Sequence, residues 1–466
     1  MLRFLPLAAL VCWIAGAGFA ARAQTLSAAG CPTFHCEPAA LGIVTQPLVG
    51  SVLTTVTNRS LGLLPYQGCS GDGSILACLF LTDQASGAAR GTLKVLSATT
   101  LQPLWGSLGV TGSYNPNART ASSGQVPTLF ANGTLTAGDG SAQALYNTST
   151  GVAIAKVKLA SANVNLGLTL LSSGHGAVSQ TDATITLINL STWTKVQSIK
   201  LTDPDTGDPL KLVSPSTAGN NVLYAIAYNG LTGSGYLFSL KLTTKAGLVI
   251  GSVFPFLGSS GASPVVVAPA VSGLSGNLVL IHAPGLPGDN PLQNRWIAVL
   301  DVTGRGLSQA WALPISATVQ VSPTVDQTTQ TLFYQLANDP SLYQANLLTG
   351  LPGTSYNMQA IGGFQVSGSG IFSLNGHLGA SQSDGAFTLL MGGRYAAGNG
   401  TGAQYVFTFQ PELNPTALVW SSTVLTVPAN YMAAWNFAPS TQSGVYCPIG
   451  IADTSTATAL VRLCDF

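Results

Sequence analysis

A short pattern of apolar and polar residues recurs along this chain about every 50 residues. In each copy an apolar run ends in a turn, and a second apolar run follows the turn. The copies begin at Gly91, Ala142, Thr184, Tyr236, Trp296, Leu342 and Tyr405, and an eighth, partial copy (ATALVRLCDF) ends the chain. One such unit cannot bury both faces of its own small sheet, so neighbouring units have to stack on one another.

Each unit consists of runs of β-branched and aromatic residues bounded by Gly, Asn, Asp and Pro, which is typical of short strands. A strand-built repeat of this length indicates a β-propeller. A series of β-sandwiches would need linkers, and a parallel β-helix would have a shorter period. We therefore predict an all-β propeller with four-stranded antiparallel blades over residues 24–466, with eight blades and seven as the alternative.

Residues 1–23 have the features of a cleaved signal peptide. Arg3 supplies the positive start, 5–20 is an apolar core, and Ala21-Arg22-Ala23 fits the cleavage rule. We expect the mature chain to begin near Gln24 and to be secreted or periplasmic. The alternative is a cell-surface lipoprotein lipidated at Cys31, because Ala28-Ala29-Gly30-Cys31 resembles a lipoprotein box.

Charged residues make up only 7% of the chain, against about a quarter in a typical protein, and the net charge is +1. This composition predicts no nucleic-acid footprint and no polybasic membrane patch. The most apolar later stretch, 263–285, is interrupted by Pro and Gly, so we expect no transmembrane segment after the signal peptide. We expect a monomer whose partner is a protein or a small-molecule ligand.

Six cysteines remain after the leader, and an even number in an exported chain predicts disulfides. They fall as neighbours in sequence, Cys31 with Cys36, Cys69 with Cys78, and Cys447 with Cys464. Six cysteines allow 15 connectivities. The last pair is the firmest expectation, because a turn midway between the two residues would bring them opposite each other in a hairpin.

Several dipeptides recur at fixed places in the units. They are Ser214-Pro215, Ser263-Pro264 and Ser322-Pro323 before apolar runs, and Leu300-Asp301, Thr303-Gly304 and Thr349-Gly350 at or before the turns. Single tryptophans, Trp105, Trp311 and Trp420, stand at the unit ends. Together they resemble the blades of the pyrroloquinoline-quinone-type propellers. The resemblance covers most of the mature chain in its blade rhythm, and it implies that these three tryptophans dock on the next blade.

The resemblance does not carry over an active site. Family members that use the quinone have adjacent cysteines, a calcium ion held by acidic and amide side chains, and a catalytic Asp. No Cys-Cys pair exists here, so no catalytic or cofactor-binding residue can be transferred. Similar propellers without the quinone include a bacterial outer-membrane assembly lipoprotein, which is a docking scaffold.

One loop is a weak candidate for calcium, the turn with Asp203, Asp205 and Asp208. The glycine and the final carboxylate do not stand where an EF-hand needs them, so a solvated turn is the better interpretation. Apart from that loop we expect no cofactor and no catalysis. We therefore expect a binding or scaffold protein that acts through its loops or central funnel, with an oxidoreductase as the alternative.

The last unit ends at Phe466 without an outermost strand, which would leave an unpaired sheet edge. The apolar segment 41–52 (LGIVTQPLVGSV) precedes the first full unit. We predict that this segment supplies the missing strand and closes the ring.

Overall fold

The computed structural model describes residues 25, 43–44, 48 and 55–60, and most of the chain from 64 to 464. Within that last stretch the following residues are not described: 84–89, 112–126, 140–141, 161–164, 172, 213, 215, 245–246, 261–263, 290–291, 320, 365–369, 376–377, 384–385, 398–401, 426–430, 440–445 and 454–457. Residues 1–23, which we predict to be a signal peptide, and Cys31 and Cys36 lie outside the described residues, and the expectations that concern them stay predictions.

The described residues form strands almost throughout. Two strands precede the repeat, β1 (Ile43–Val44) and β2 (Thr55–Ser60). Sheets 1 and 2 contain β3 (Leu64–Gly71), β4 (Ile75–Asp83), β5 (Arg90–Ser97) and β6 (Pro103–Thr111), then β7 (Thr128–Phe130), β8 (Thr134–Asp139), β9 (Ala142–Asn147) and β10 (Ala153–Lys158). Sheets 3 and 4 contain β11 (Asn165–Leu171), β12 (His175–Gln180), β13 (Thr184–Asn189) and β14 (Thr194–Lys200), then β15 (Lys211–Leu212), β16 (Thr217–Gly219), β17 (Val222–Tyr228), β18 (Ser234–Thr243) and β19 (Gly247–Leu257).

The second half of the chain continues in the same way. Sheets 5 and 6 contain β20 (Val265–Val267), β21 (Asn277–Ala283), β22 (Arg295–Val302) and β23 (Gly306–Pro314), then β24 (Thr324–Asp326), β25 (Thr331–Gln335), β26 (Ser341–Asn346) and β27 (Pro352–Asn357). Sheets 7 and 8 contain β28 (Ile371–Leu374), β29 (Gly379–Ser383), β30 (Ala386–Ala396), β31 (Gly402–Phe409) and β32 (Trp420–Leu425), then β33 (Tyr431–Pro439), β34 (Tyr446–Asp453) and β35 (Thr458–Cys464).

These strands confirm the predicted all-β propeller with four-stranded antiparallel blades. The described strands form eight sheets, and apart from β1 and β2, which join sheets 7 and 8 from the start of the chain, the strands of each sheet pair in chain order. In sheets 4 and 7 the first strand is split in two, because β15 and β16 both pair with β17, and β28 and β29 both pair with β30. The helices α1 (Pro269–Ser272) and α2 (Met358–Ile361) have one turn each. Among the described residues no helix is long and apolar enough to cross a membrane.

The residues on which the sequence repeat aligns share one structural position. Each lies on the third strand of its sheet; they are Leu96, Leu145, Ile188, Leu240, Leu300, Ala345, Phe409 and Leu460. The third strand packs on both faces against neighbouring sheets, so both faces of it are apolar. This double burial explains why the third strand gives the clearest repeat in the sequence.

The core consists of apolar clusters between the faces of successive sheets. Such clusters join each sheet from 1 to 6 with the next, and another joins sheet 8 to sheet 1. In the last of these, Ile449 and Leu460 from sheet 8 meet Leu76 and Leu96 from sheet 1. Burying one such aliphatic side chain contributes about 1.5–3 kcal/mol. The ring is therefore held by face-to-face packing, including at the seam between the chain ends.

The outermost strand of sheet 8 comes from the start of the chain. β2 pairs antiparallel with β35, from Thr55 opposite Cys464 to Ser60 opposite Ala459. The expectation that 41–52 supplies this strand is therefore wrong in position. From that segment, Ile43 and Val44 form β1, which pairs in parallel with β29 of sheet 7. Both stretches are extended and follow each other closely, so their local sequence did not show which one reaches sheet 8.

Two of the three expected disulfides are present. Cys447 and Cys464 lie on β34 and β35 with their Cα atoms 5.0 Å apart, and they continue the register in which Ile449 faces Arg462. Cys69 and Cys78 stand directly opposite each other on β3 and β4, with a Cα separation of 4.3 Å. Both bridges are cross-strand bonds within one sheet.

Two of the expected tryptophan docks are present as well. The indole N–H of Trp311, in sheet 5, donates to the Leu347 carbonyl of sheet 6 at 2.8 Å. The indole N–H of Trp105, in sheet 1, donates in the same way to the Thr148 carbonyl of sheet 2. Trp420 is also buried, but its docking on the next sheet stays a prediction.

Sheet 3 docks on sheet 4, and sheet 4 on sheet 5, through polar side chains at the strand position that Trp311 occupies in sheet 5. The Gln197 side chain of sheet 3 accepts from the Leu248 N–H at 2.7 Å and donates to the Leu248 carbonyl at 3.1 Å. Ser252 of sheet 4 accepts from the Leu307 N–H at 3.1 Å. Each sits on its outermost strand directly after a β-bulge, where Trp311 also sits. The bulge residue is extra in its strand and bends it.

We predict that Gly350→Ala destabilises the protein more than Gly304→Ala. Both glycines have a positive φ, +68° and +82°, so both substitutions carry a backbone cost of about 1–2 kcal/mol. A Cβ at Gly350 would also lie 2.6 Å from the indole of Trp311, whereas one at Gly304 meets nothing within 4 Å. Thermal unfolding of both variants measures the difference, and equal melting temperatures would show that the tryptophan dock contributes little.

We also predict that β2, and not the segment before it, closes the ring. A chain that begins after residue 62 lacks the pairing partner of β35 and should melt several degrees lower and aggregate through the exposed edge. A chain that begins at residue 53 keeps β2 and should lose much less. Equal melting temperatures for the two truncated chains would contradict this assignment.

Candidate functional site

The acidic turn after β14 is a structural turn. Asp203 is only 2% exposed, and its Oδ1 accepts from the Asp205 and Thr206 N–H groups at 2.9 and 3.2 Å. The Tyr236 hydroxyl donates to the same oxygen at 3.0 Å, and Asn229 Nδ2 donates to Oδ2 at 2.8 Å. Both carboxylate oxygens of Asp203 thus accept from the fold, which leaves little for a calcium ion.

The other two carboxylates of that turn are more exposed and do not complete an ion site. Asp208 Oδ2 accepts from the Thr206 hydroxyl at 2.8 Å, and Asp205 Oδ2 accepts weakly from Tyr236 at 3.3 Å. Within the described part of the chain, no group of three His, Cys, Asp or Glu side chains could hold a metal ion. Calcium binding by Asp203, Asp205 and Asp208 stays an untested expectation.

The charge state of Asp203 follows from these bonds. Burial raises its pKa, but the hydrogen bonds from Asn229, the Asp205 N–H and Tyr236 lower it more, so the pKa lies below its usual value. Burial and the carboxylate of Asp203 in turn raise the pKa of Tyr236 to about 12. Tyr236 is therefore a hydrogen-bond donor, and Asp203 an ionised acceptor, at neutral pH.

A second buried polar network joins sheets 4 and 5. The Tyr224 hydroxyl donates to Asp301 Oδ2 at 2.8 Å and accepts from Asn277 Nδ2 at 2.9 Å. Burial raises the pKa of Tyr224, the Asn277 bond lowers it and Asp301 raises it further, so the phenol stays protonated. Asp301 stands in the Leu300-Asp301 pair on which the sequence resemblance rests, and its carboxylate joins two sheets.

In sheets 2, 3 and 6 the turn between the third and fourth strands begins with an asparagine that binds the backbone of the same turn. Asn147, Asn189 and Asn346 each accept from the N–H groups two and three residues later. This is the Asx-turn that Asn and Asp adopt readily. The amide side chains at this register thus shape the turn between the third and fourth strands.

Buried hydroxyl groups link the innermost strands. The Ser70 hydroxyl of β3 donates to the Pro127 carbonyl, which directly precedes β7. The Thr169 hydroxyl of β11 donates to the Ser216 carbonyl at 2.5 Å, directly before β16. In both cases an inner strand binds the backbone at the start of the next inner strand. A proline marks the start of several innermost strands in the sequence, because Pro127, Pro264 and Pro323 each directly precede one.

The described histidines lie far apart. His282 is buried edge-on against Trp296, with ring centroids 5.9 Å apart. Burial lowers its pKa to about 4, against a hydrogen bond with Asn294 that raises it, so His282 is neutral at pH 7. His175 begins β12 in sheet 3, and its Nδ1 contacts the Ser173 hydroxyl at 3.1 Å. His282 thus belongs to the core between sheets 5 and 6.

One end of the ring carries the loops between second and third strands and the connections between sheets; we call it the loop end. In sheet 4 its loop presents Leu231, which is 84% exposed. Asn229 is fully buried at the base of this loop, and its Oδ1 accepts from the Leu231 N–H at 2.9 Å. Its Nδ2 bonds Asp203, so the acidic turn braces the loop.

The neighbouring loop of sheet 5 presents a second exposed leucine, Leu292, which is 59% exposed. Both loops bond to the end of β19, where the Gly258 N–H donates to the Gly233 carbonyl at 2.7 Å and the Leu257 N–H donates to the Gly285 carbonyl at 2.9 Å. Two leucines thus project from loops that are both bonded to the end of β19. Sequence reasoning missed them, although a leucine inside the turn sequence NGLTG was the available signal.

No family model and no curated protein matches this sequence. The structure is similar to the quinohemoprotein alcohol dehydrogenase from Comamonas testosteroni, with a TM-score of 0.61 and 9% identity over 93% of this chain and 80% of that one. It is also similar to quinohemoprotein alcohol dehydrogenase ADHIIG from Pseudomonas putida HK5, with a TM-score of 0.59 and 9% identity over 94% and 80%. A third similar structure is the Dos1 propeller, with a TM-score of 0.57 and 12% identity over 89% and 97%.

This likeness shows the fold alone. Two of the similar structures are quinohemoprotein dehydrogenases, so the likeness supports a quinoprotein-like propeller fold. The four described cysteines form disulfides inside sheets 1 and 8, and the buried Asp203 and Asp301 accept hydrogen bonds from the fold, so these six residues do not provide a quinone and calcium site. The wider expectation that the chain lacks the quinone-binding residues stays a prediction.

We predict that Asp203→Asn lowers stability at pH 7 by about 1 kcal/mol, because an amide NH₂ would face the NH₂ of Asn229. The lowered pKa means that the ionised form stabilises the fold above the ordinary pKa of about 4, and that this stabilisation is lost as the pH falls below it. Denaturation at pH 7 and pH 3 should show the difference from the wild type shrinking. Asp205→Asn is the exposed control, and an equal loss for both variants would contradict the role of Asp203.

Proposed function

We propose that this protein is an exported, non-catalytic propeller that binds a partner at its loop end and serves as a binding or scaffold protein. The observation that carries the proposal is Leu231, an aliphatic side chain 84% exposed at the tip of a loop. An exposed leucine side chain contributes no burial free energy to the free protein. It becomes favourable when a partner covers it, and apolar anchors of this kind dominate many interfaces.

The bracing of that loop supports the same proposal. Asn229, Asp203 and Tyr236 fix the loop through buried hydrogen bonds, so the leucine is held in one position before any partner arrives. Such preorganisation lowers the entropy cost of association. Leu292, on the corresponding loop of the next sheet, is a second exposed leucine at the same end of the ring. The disulfides and the signal sequence are consistent with a secreted or periplasmic place of action.

The oxidoreductase alternative rests on fold likeness alone, and fold does not determine activity. In the interior described above, Asp203 and Asp301 accept hydrogen bonds that hold turns and sheets together. These bonds give the two buried carboxylates a structural role, which favours binding over catalysis.

We predict that Leu231→Ser with Leu292→Ser weakens partner capture about tenfold or more, as for apolar anchors of an interface. The tagged protein is cross-linked in the exported fraction of its source cells, and the recovered partner is quantified. The control is Leu351→Ser with Leu413→Ser, two leucines of similar exposure at the opposite end of the ring. Equal recovery with both double variants, or dye-linked alcohol oxidation after addition of the quinone and Ca²⁺, would overturn the proposed function.

A further inference from the structure

Four exposed lysines lie on the outermost strands of two adjacent sheets. Lys156 and Lys158 are on β10 of sheet 2, and Lys195 and Lys200 are on β14 of sheet 3. The two strands contact each other, and neither has an acidic residue. The outermost strands of sheets 1, 4, 5, 6 and 7 have no charged residue at all. The composition indicated no polybasic patch, but the fold assembles one from separate parts of the chain.

Exposed aliphatic side chains accompany the lysines at a defined register. In sheets 1, 2 and 3 the bulge residue of the outermost strand is Leu104, Ile154 and Val196, exposed by 55, 51 and 48%. In sheets 4 and 5 the bulge residue is small, Gly251 and Ala310. We call the four lysines together with these three aliphatic residues the basic rim patch.

Protection of strand edges does not account for this patch by itself. Lysine and proline both discourage edge-to-edge pairing. Four residues after the bulge, sheets 2 and 3 have Lys158 and Lys200, whereas sheets 4 and 5 have Pro255 and Pro314. In sheets 4 and 5 the outermost strand is thus protected by proline and needs no charged residue. Among the outermost strands of sheets 1 to 7, those of sheets 2 and 3 alone combine positive charge with an exposed aliphatic bulge residue.

The chemistry of the patch indicates what it binds. All four cations are lysines, whose ammonium groups are compact, strongly hydrated point charges, whereas bidentate recognition of single carboxylates or phosphates uses the planar fork of arginine. The patch also lacks the Trp, Tyr and Arg anchors that dominate protein interfaces. Lysines beside short aliphatic side chains suit a surface with anionic headgroups and an apolar interior below them.

We propose that the basic rim patch docks the propeller edge-on to an anionic lipid surface. The ammonium groups of Lys156, Lys158, Lys195 and Lys200 lie among the headgroups, and Ile154 and Val196, with Leu104 beside them, enter the interface. This surface lies on the circumference of the ring. The proposal therefore stands independently of the partner at the loop end.

The test uses the purified full-length mature protein and sedimentation with lipid vesicles. We expect binding to vesicles of phosphatidylcholine with phosphatidylglycerol, little binding to phosphatidylcholine alone, and weakening with salt. Replacing Lys156, Lys158, Lys195 and Lys200 by Gln should weaken binding about tenfold or more. The matched control removes four cations elsewhere, with Gln in place of Lys211, Lys241, Arg305 and Arg394. Circular dichroism and melting curves confirm that both variants fold.

The apolar part of the patch has its own test. Ile154→Ser with Val196→Ser should weaken vesicle binding, whereas Ile250→Ser with Leu351→Ser should not. The proposal is overturned if the wild type fails to bind the anionic vesicles, or if the lysine variant binds them as well as the charge-matched control does. It is also overturned if a soluble polyanion such as polyphosphate competes fully while the Ile154 and Val196 changes have no effect, because the surface then takes an acidic polymer.

Discussion

Contact between neighbouring sheets is the interaction on which the rest of this structure depends. A four-stranded sheet has two apolar faces, and each face packs against one of the two neighbouring sheets in the ring. Near the axis, hydroxyl groups such as that of Thr169 bind the start of the next inner strand. At the rim, Trp105, Gln197, Ser252 and Trp311 bind the next sheet at one register. Apolar packing supplies most of the stabilisation, and these directional bonds fix how one sheet is oriented on the next.

The rim dock shows how one geometric need is met by different chemistry. The backbone at either end of the next turn offers an N–H or a carbonyl group, so side chains of different type and reach can bind it. Trp311 uses its indole N–H and covers Gly350, whereas Ser252 uses a single hydroxyl oxygen. The tryptophan docks were predictable because their residue type is distinctive. Gln197 and Ser252 were not, because glutamine and serine are common and only the register identifies them.

The sequence predicted elements whose residue types are dictated by burial, and it mispredicted an element whose position is decided by long-range strand pairing. The third strands were found because both of their faces are buried, and Cys447 with Cys464 because a hairpin places them opposite each other. The closing strand was misplaced, because β1 and β2 are both short extended segments and only long-range pairing distinguishes them. In the candidate site, Asp203 was noticed for its carboxylate. Its role as a brace for Leu231 depends on Asn229, which lies 26 residues away in sequence.

A ring of similar sheets provides its own comparison. The fold imposes the same demands at equal registers, so a structural need is met in sheet after sheet, as at the bulge and at the dock. Residues that depart from their equivalents without a structural reason are then the ones to explain by function. Leu231 at the loop end is such a residue, because a polar tip would serve that turn equally well. Ile154 and Val196 are others, because Gly251 and Ala310 satisfy the same bulge without exposing an aliphatic side chain to water.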